Sequence, residues 1–179
     1  MQQAPWSQDA YLKALRFAAQ AHQGQKFPGT EFPYMLHLGM VSMEVMAALA
    51  VESGRDGTLA VSCALLHDVL EDTPTLPELL EKEFGTAVLQ GVRALSKNPD
   101  VPKPDRMADS LRRIREQPPE IAMVKLADRI TNLQPPPAHW TPEKRGAYRE
   151  EARHILAALG SASSFLETRL RRKIETYAV

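Results

Sequence analysis

The segment Thr58–Leu70 (TLAVSCALLHDVL) is apolar on nearly every side. A helix of that kind has no face to offer water, so other elements must surround it. The chain must therefore supply enough amphipathic neighbours to bury one central helix. The rest of the sequence does so with a helical period. After Ser7, a good N-cap, apolar residues recur at Ala10, Leu12, Leu15, Phe17, Ala18 and Ala21 before Gly24. A second helix is expected from near His37 to about Ser53, carrying Val41, Val45, Met46 and Leu49 inward. Thr75 and Glu78 read as a capping box opening a helix to Phe84, and another follows Gly85 from Thr86 to Ser96.

Further helices are expected at 105–116, 119–133, 141–159 and 162–177, with Pro118–Pro119 and Pro135–Pro137 as start and stop. Segments 24–36 and 97–105, rich in proline, read as loops. No stretch alternates with period two long enough to make a sheet. The expected architecture is all-α, eight or nine helices in one domain spanning residues 1–179.

Charge narrows the function classes. The 22 Lys+Arg balance the 22 Asp+Glu, which argues against a protein that coats nucleic acid or an anionic membrane. The balance hides a split: 7 Lys+Arg against 12 Asp+Glu in residues 1–100, and 15 against 10 in 101–179. Cys63 is the single cysteine, so no intrachain disulfide forms, which fits a reducing compartment. The first ten residues do not read as a signal peptide, and the apolar run Met40–Val51 contains Glu44 and is too short to span a bilayer. The expected location is the cytoplasm. The cysteine lies in the apolar run and reads as a small hydrophobe.

Three segments carry chemistry. The first is Leu65–Asp72 (LLHDVLED), where one imidazole and three acids end an apolar helix. Read as one helix, it puts His67 with Glu71 on one face and Asp68 with Asp72 on another. Acids at a helix C-terminus oppose the macrodipole, so a frayed, solvated end explains them poorly. The second is Lys125–Asn132 (KLADRITN), with Asp128 and Asn132 four apart; alone it reads as an amphipathic helix with solvated charges. The third is Phe32–His37 (FPYMLH), where His37 leads a helix after a rigid loop. Together they offer two imidazoles, His37 and His67, and two carboxylates, Asp68 and Asp128. A mixed nitrogen and oxygen set suits Mn²⁺, Fe²⁺, Zn²⁺ or Mg²⁺. Glu71 and Asp72 are left to orient a water and take its proton, as a hydrolase requires.

The order of these residues resembles the HD superfamily of metal-dependent phosphohydrolases. AHQGQ at 21–25, PYMLH at 33–37, ALLHDVLEDT at 64–73, FG at 84–85 and VKLADRITNL at 124–133 resemble the RelA/SpoT-type alarmone hydrolase domain more closely. The resemblance covers about residues 10–160 and no synthetase region follows, so the chain is similar to a stand-alone small alarmone hydrolase.

That resemblance implies a helical HD domain that uses Mn²⁺ to remove the 3′-pyrophosphate from guanosine tetra- or pentaphosphate. It implies that His37, His67, Asp68 and Asp128 bind the metal and that Glu71 and Asp72 act on the water. Asn132, Lys144 and Tyr148 would contact the nucleotide. One departure stands out. The family's Arg-Lys pair before the PY motif is replaced by Gln25-Lys26-Phe27-Pro28. Lys26 keeps one charge, but an Arg and a Phe make different contacts. An adenosine 3′-pyrophosphate such as (p)ppApp therefore stays open beside the guanosine form. Another HD nucleotide phosphohydrolase, or a nucleotide-binding HD module without turnover, remains as an alternative. His22, near the first helix end, is assigned to the helix dipole. The expected partner is a small nucleotide rather than nucleic acid or a membrane.

Overall fold

A computed structural model describes residues 5–178 of the chain. Among them are ten α-helices: α1 Gln8–Ala21, α2 Met35–Leu49, α3 Gly57–Leu66, α4 Val69–Asp72, α5 Pro77–Phe84, α6 Thr86–Leu95, α7 Arg106–Arg115, α8 Pro119–Asn132, α9 Pro142–Leu159 and α10 Ser164–Thr176. Single 3₁₀ turns sit at Lys103–Asp105 and Gly160–Ala162. The described residues contain no strand, only an isolated bridge between Lys26 and Pro33. None of the helices is long and apolar enough to cross a membrane.

Helix α3 is the central element its sequence demands. All its residues but Thr58 are buried, and it packs against α1, α2, α6 and α8. The helix expected over 58–70 is not continuous, however. It breaks at His67–Asp68, and α4 restarts as a single turn. The Ala64 carbonyl, which a continuous helix would give to the Asp68 N–H, accepts His67 Nδ1 at 2.9 Å. Asp68 sits near φ −102°, ψ −2°, in the bridge region common among active-site residues. Its carboxylate accepts the Tyr34 hydroxyl at 2.5 Å. At the break His67 stays buried while Asp68 is half-buried.

Helix α8 is a second central rod, contacting α2, α3, α6, α7, α9 and α10. Eleven of its fourteen residues are buried, including Glu120, Asp128, Arg129 and Thr131. This corrects the picture of solvated charges. These buried residues each find a partner: Glu120 takes the Asp56 N–H, Thr131 donates to the Asp128 carbonyl, and Arg129 pairs with Glu151 through Nη2, although its Nε and Nη1 have none. Gly91 on α6 allows close approach to both rods. A Cβ there would meet Ile121 Cδ1 at 2.5 Å and Cys63 Sγ at 2.9 Å. Cys63 is buried, and burial pushes its thiol up, consistent with a packing role.

The Thr75–Glu78 capping box does not form. Pro77 occupies the first helical position, so Leu76 is the N-cap, and the Thr75 hydroxyl bonds that of Thr73 at 2.7 Å. Helix α2 starts at Met35 rather than His37, which places His37 in its first turn. Ser7, Thr141 and Ser163 cap α1, α9 and α10 through their hydroxyls.

Candidate metal centre and nucleotide cavity

The two central rods, α2 and the break after α3 deliver four side chains to one point. His37 comes from the first turn of α2, His67 and Asp68 from the break, and Asp128 from the last turns of α8. The His37 and His67 Nε2 atoms are 3.3 Å apart. Asp128 Oδ1 lies 3.5 Å from His37 Nε2, and Asp68 Oδ2 lies 2.9 Å from His67 Nε2. One ligand atom from each of His37, His67 and Asp128 falls within 4.8 Å of the others. Asp68 Oδ2, 3.6 Å from His37 Nε2, borders the same point.

The surroundings fix His67, Asp68 and Asp128 before any ligand arrives. His67 Nδ1 is committed to the Ala64 carbonyl, so Nε2 faces the site. Asp128 accepts Lys125 Nζ at 2.9 Å on one oxygen and Asn132 Nδ2 at 2.5 Å on the other. Burial pushes Asp128 up, but the charge of Lys125 and then the imidazoles outweigh it and hold the carboxyl at about 2. Asp68 lies well below the usual carboxylate range: burial opposes this, and the charge and hydrogen bond of His67 prevail. Burial likewise lowers His67, yet Asp68 and Asp128 raise it to about 9. His37 is lowered, by burial first and then by His67. The cluster brings nitrogen and oxygen donors to one buried point, a donor set that fits a divalent cation.

A cavity of about 330 Å³ opens beside this point. That is within the usual range for small-molecule sites. Glu71 and Asp72, on α4, line it together with Lys97, Arg106, Lys125 and Arg129. Both Glu71 oxygens are held by Lys97, one by Nζ at 2.7 Å and one by the backbone N–H at 2.9 Å. Arg106 is held by the Val101 and Pro99 carbonyls, not by a carboxylate, so its charge remains available to the cavity.

Of the four residues expected to contact substrate, Asn132 and Tyr148 line the cavity. Arg129 stacks on the Tyr148 ring at 4.5 Å and pairs with Glu151. Lys26 and Lys144 do not line it. Lys26 pairs with Glu31, and Lys144 lies over the Trp140 ring at 4.3 Å. Phe27 lines it instead, stacked near-parallel to His37 with ring centroids 5.9 Å apart. His22 does not use its ring at the helix end: it is buried, and Nδ1 bonds Gln25 Oε1 at 2.7 Å. Sequence reasoning missed Tyr34, Lys97 and Arg106 as parts of the site. Tyr34 had a signal, since it lies within the same short segment as His37. Lys97 comes from a proline-rich connection and Arg106 opens α7 just after it, and no periodicity marks either.

A buried imidazole–carboxylate cluster at a helix break, opening on an acid- and cation-lined cavity, is a candidate metal centre in a helical hydrolase domain. The chain belongs to the HD-domain family, whose pattern matches residues 14–164. The mouse guanosine-3′,5′-bis(diphosphate) 3′-pyrophosphohydrolase MESH1 is 30% identical over 169 residues, covering 92% of each chain. The human MESH1 is 30% identical over 165 residues, covering 89% of this chain and 90% of its own. Among solved structures, a metazoan SpoT orthologue described as hydrolysing ppGpp superposes with a TM-score of 0.81 at 27% identity. It covers 95% of this chain and 96% of its own.

Proposed function

We propose that this chain, acting as one domain over residues 1–179, hydrolyses the 3′-pyrophosphate from an alarmone nucleotide of the (p)ppGpp type. The products are the nucleoside 5′-phosphate and pyrophosphate, and the metal is Mn²⁺. The convergence of His37, His67, Asp68 and Asp128 beside a cavity holding acids, ion-paired cations and Arg106, which only carbonyls hold, carries this reading. The names of the mouse and metazoan relatives support it. A single unpaired buried thiol favours the cytoplasm.

The residues divide the work. His37, His67, Asp68 and Asp128 would hold the cation. A divalent ion bound there supplies Lewis acidity toward phosphoryl oxygens and makes water easier to deprotonate. Glu71 and Asp72 orient the water and accept its proton. Lys97 and Arg106 offset the charge of the nucleotide phosphates, and Lys125 keeps Asp128 ionised. Asn132 fixes Asp128 and faces the nucleotide. Tyr148, its ring backed by Arg129, forms part of the wall.

Phe27 at the cavity, with Lys26 turned to Glu31, favours relaxed base choice. We therefore extend the proposal to adenosine 3′-pyrophosphates such as (p)ppApp. A panel of guanosine and adenosine 3′-pyrophosphates with Mn²⁺ tests it, scoring the phosphorus product. Equimolar pyrophosphate from both is expected. Inorganic phosphate as product would point to a different HD phosphohydrolase. Tight binding without turnover would point to a binding module.

A further inference from the structure

The two acids on α4 are held by different means. Glu71 is clamped by a cation, Lys97. Asp72 is held by a neutral amide: Gln25 Nε2 donates to Asp72 Oδ2 at 3.1 Å. The other end of that amide, Oε1, accepts from His22 Nδ1 at 2.7 Å. An amide flip would face its NH₂ to the imidazole and its oxygen to the carboxylate, so the His22 donor selects the orientation that serves Asp72. The backbone is fixed as well. Gln25 N–H donates to the His22 carbonyl at 3.0 Å, and Tyr34 N–H donates to the Gln25 carbonyl at 2.9 Å. The His22 ring is buried and stacks on Tyr34 with centroids 4.9 Å apart. Its Nε2 is buried with no partner, which is tolerable for a bare lone pair and costly for an N–H. Both ends of the ring therefore point to the Nδ1–H tautomer.

We infer that Gln25 is a positioning residue for Asp72, and that His22 sets the direction of its amide. The chain His22–Gln25–Asp72 ties the end of α1 to the water-facing acid of α4. The contact to Asp72 is exposed, and such contacts contribute little to stability. Its use is to hold the carboxylate in one rotamer, where a misplacement of about 1 Å costs up to roughly a hundredfold in rate. The inference rests on the proposed function only for what Asp72 does.

Kinetics and tautomer together test it. Gln25→Ala should lower kcat tenfold or more, with KM and metal affinity within threefold of the parent and an unchanged melting temperature. His22→Asn places an amide N–H near the position of Nδ1 and should keep most of kcat. His22→Gln places its amide near Nε2 and should lose as much as Gln25→Ala. A Gln25→Ala variant with parental kcat, or equal losses in His22→Asn and His22→Gln, would overturn the positioning role. Long-range ¹H–¹⁵N spectra of ¹⁵N-histidine protein should report His22 as the Nδ1–H tautomer, and Asp72→Asn should shift the Gln25 side-chain amide signals. An Nε2–H tautomer, or amide signals indifferent to Asp72→Asn, overturns the inference even in a protein that turns nothing over. Absent parental turnover overturns the hydrolase reading instead, and the spectra then decide whether the chain exists.

Discussion

The metal-side wall and the outer rim of the cavity are built differently. His67 and Asp128 are buried on or beside the two central rods and have their orientation fixed by further hydrogen bonds, while His37, buried on α2, is held by packing, with its Nδ1 unpartnered. The rim is drawn from the 25–33 loop, the connection after α6 and α9, and its long side chains have several partners to choose from. Lys26 chose Glu31 and Lys144 chose Trp140, while Lys97 reaches Glu71. Buried polar groups are costly unless paired, so core geometry leaves them little choice. Exposed lysines pay almost nothing for changing partner, so their sequence position predicts little about where the ammonium goes.

The contrast can be broken at four points. The largest effect is expected on the buried side. Asp128→Ala leaves the two imidazoles without their shared carboxylate, and it should abolish turnover and weaken Mn²⁺ binding beyond detection by calorimetry. Residual tight binding would remove Asp128 from the metal set. Next, Glu71→Ala with Asp72→Ala should abolish turnover while leaving calorimetric Mn²⁺ affinity within a few-fold. Activity surviving in that double variant would mean that another group takes the proton. Asn132→Ala removes one of the two donors fixing Asp128, and an effect of about 10–100-fold on metal affinity or activity is expected. The smallest effects belong to the rim. Lys26→Ala and Lys144→Ala should each change kcat/KM by less than about threefold, because neither side chain lines the cavity. A large KM increase in either would show that the nucleotide pulls the ammonium inward on binding.

The same contrast explains what could be read from the chain. The all-round apolar pattern of Thr58–Leu70 marks a central helix, and His67 and Asp68, two of the proposed metal ligands, stand out because they interrupt it. The break at His67–Asp68 has no such mark. No proline or glycine stands there, and it depends on the His67 ring taking the Ala64 carbonyl and Tyr34 reaching Asp68. The burial of α8 was hidden for a related reason. Lys125, Asp128, Arg129 and Asn132 look like solvated charges until their partners are known, and Glu151 and Tyr148 come from a different helix. The Thr75–Glu78 pattern failed locally, since Pro77 moved the cap by one residue. The charge split is also clearer. The acidic half holds three of the four proposed metal ligands and both acids proposed to act on the water. The basic half adds Asp128 with its partner Lys125, and the cavity cations Arg106 and Arg129, although Lys97 crosses from the acidic half.

The account turns on whether the buried cluster is a metal centre. A crystal of the protein grown with Mn²⁺, measured at an energy where manganese scatters anomalously, tests that directly. The predicted result is one strong anomalous peak within bonding distance of His37 Nε2, His67 Nε2 and the carboxylates of Asp68 and Asp128. Manganese bound elsewhere, with these four side chains bonded only to one another, would contradict it.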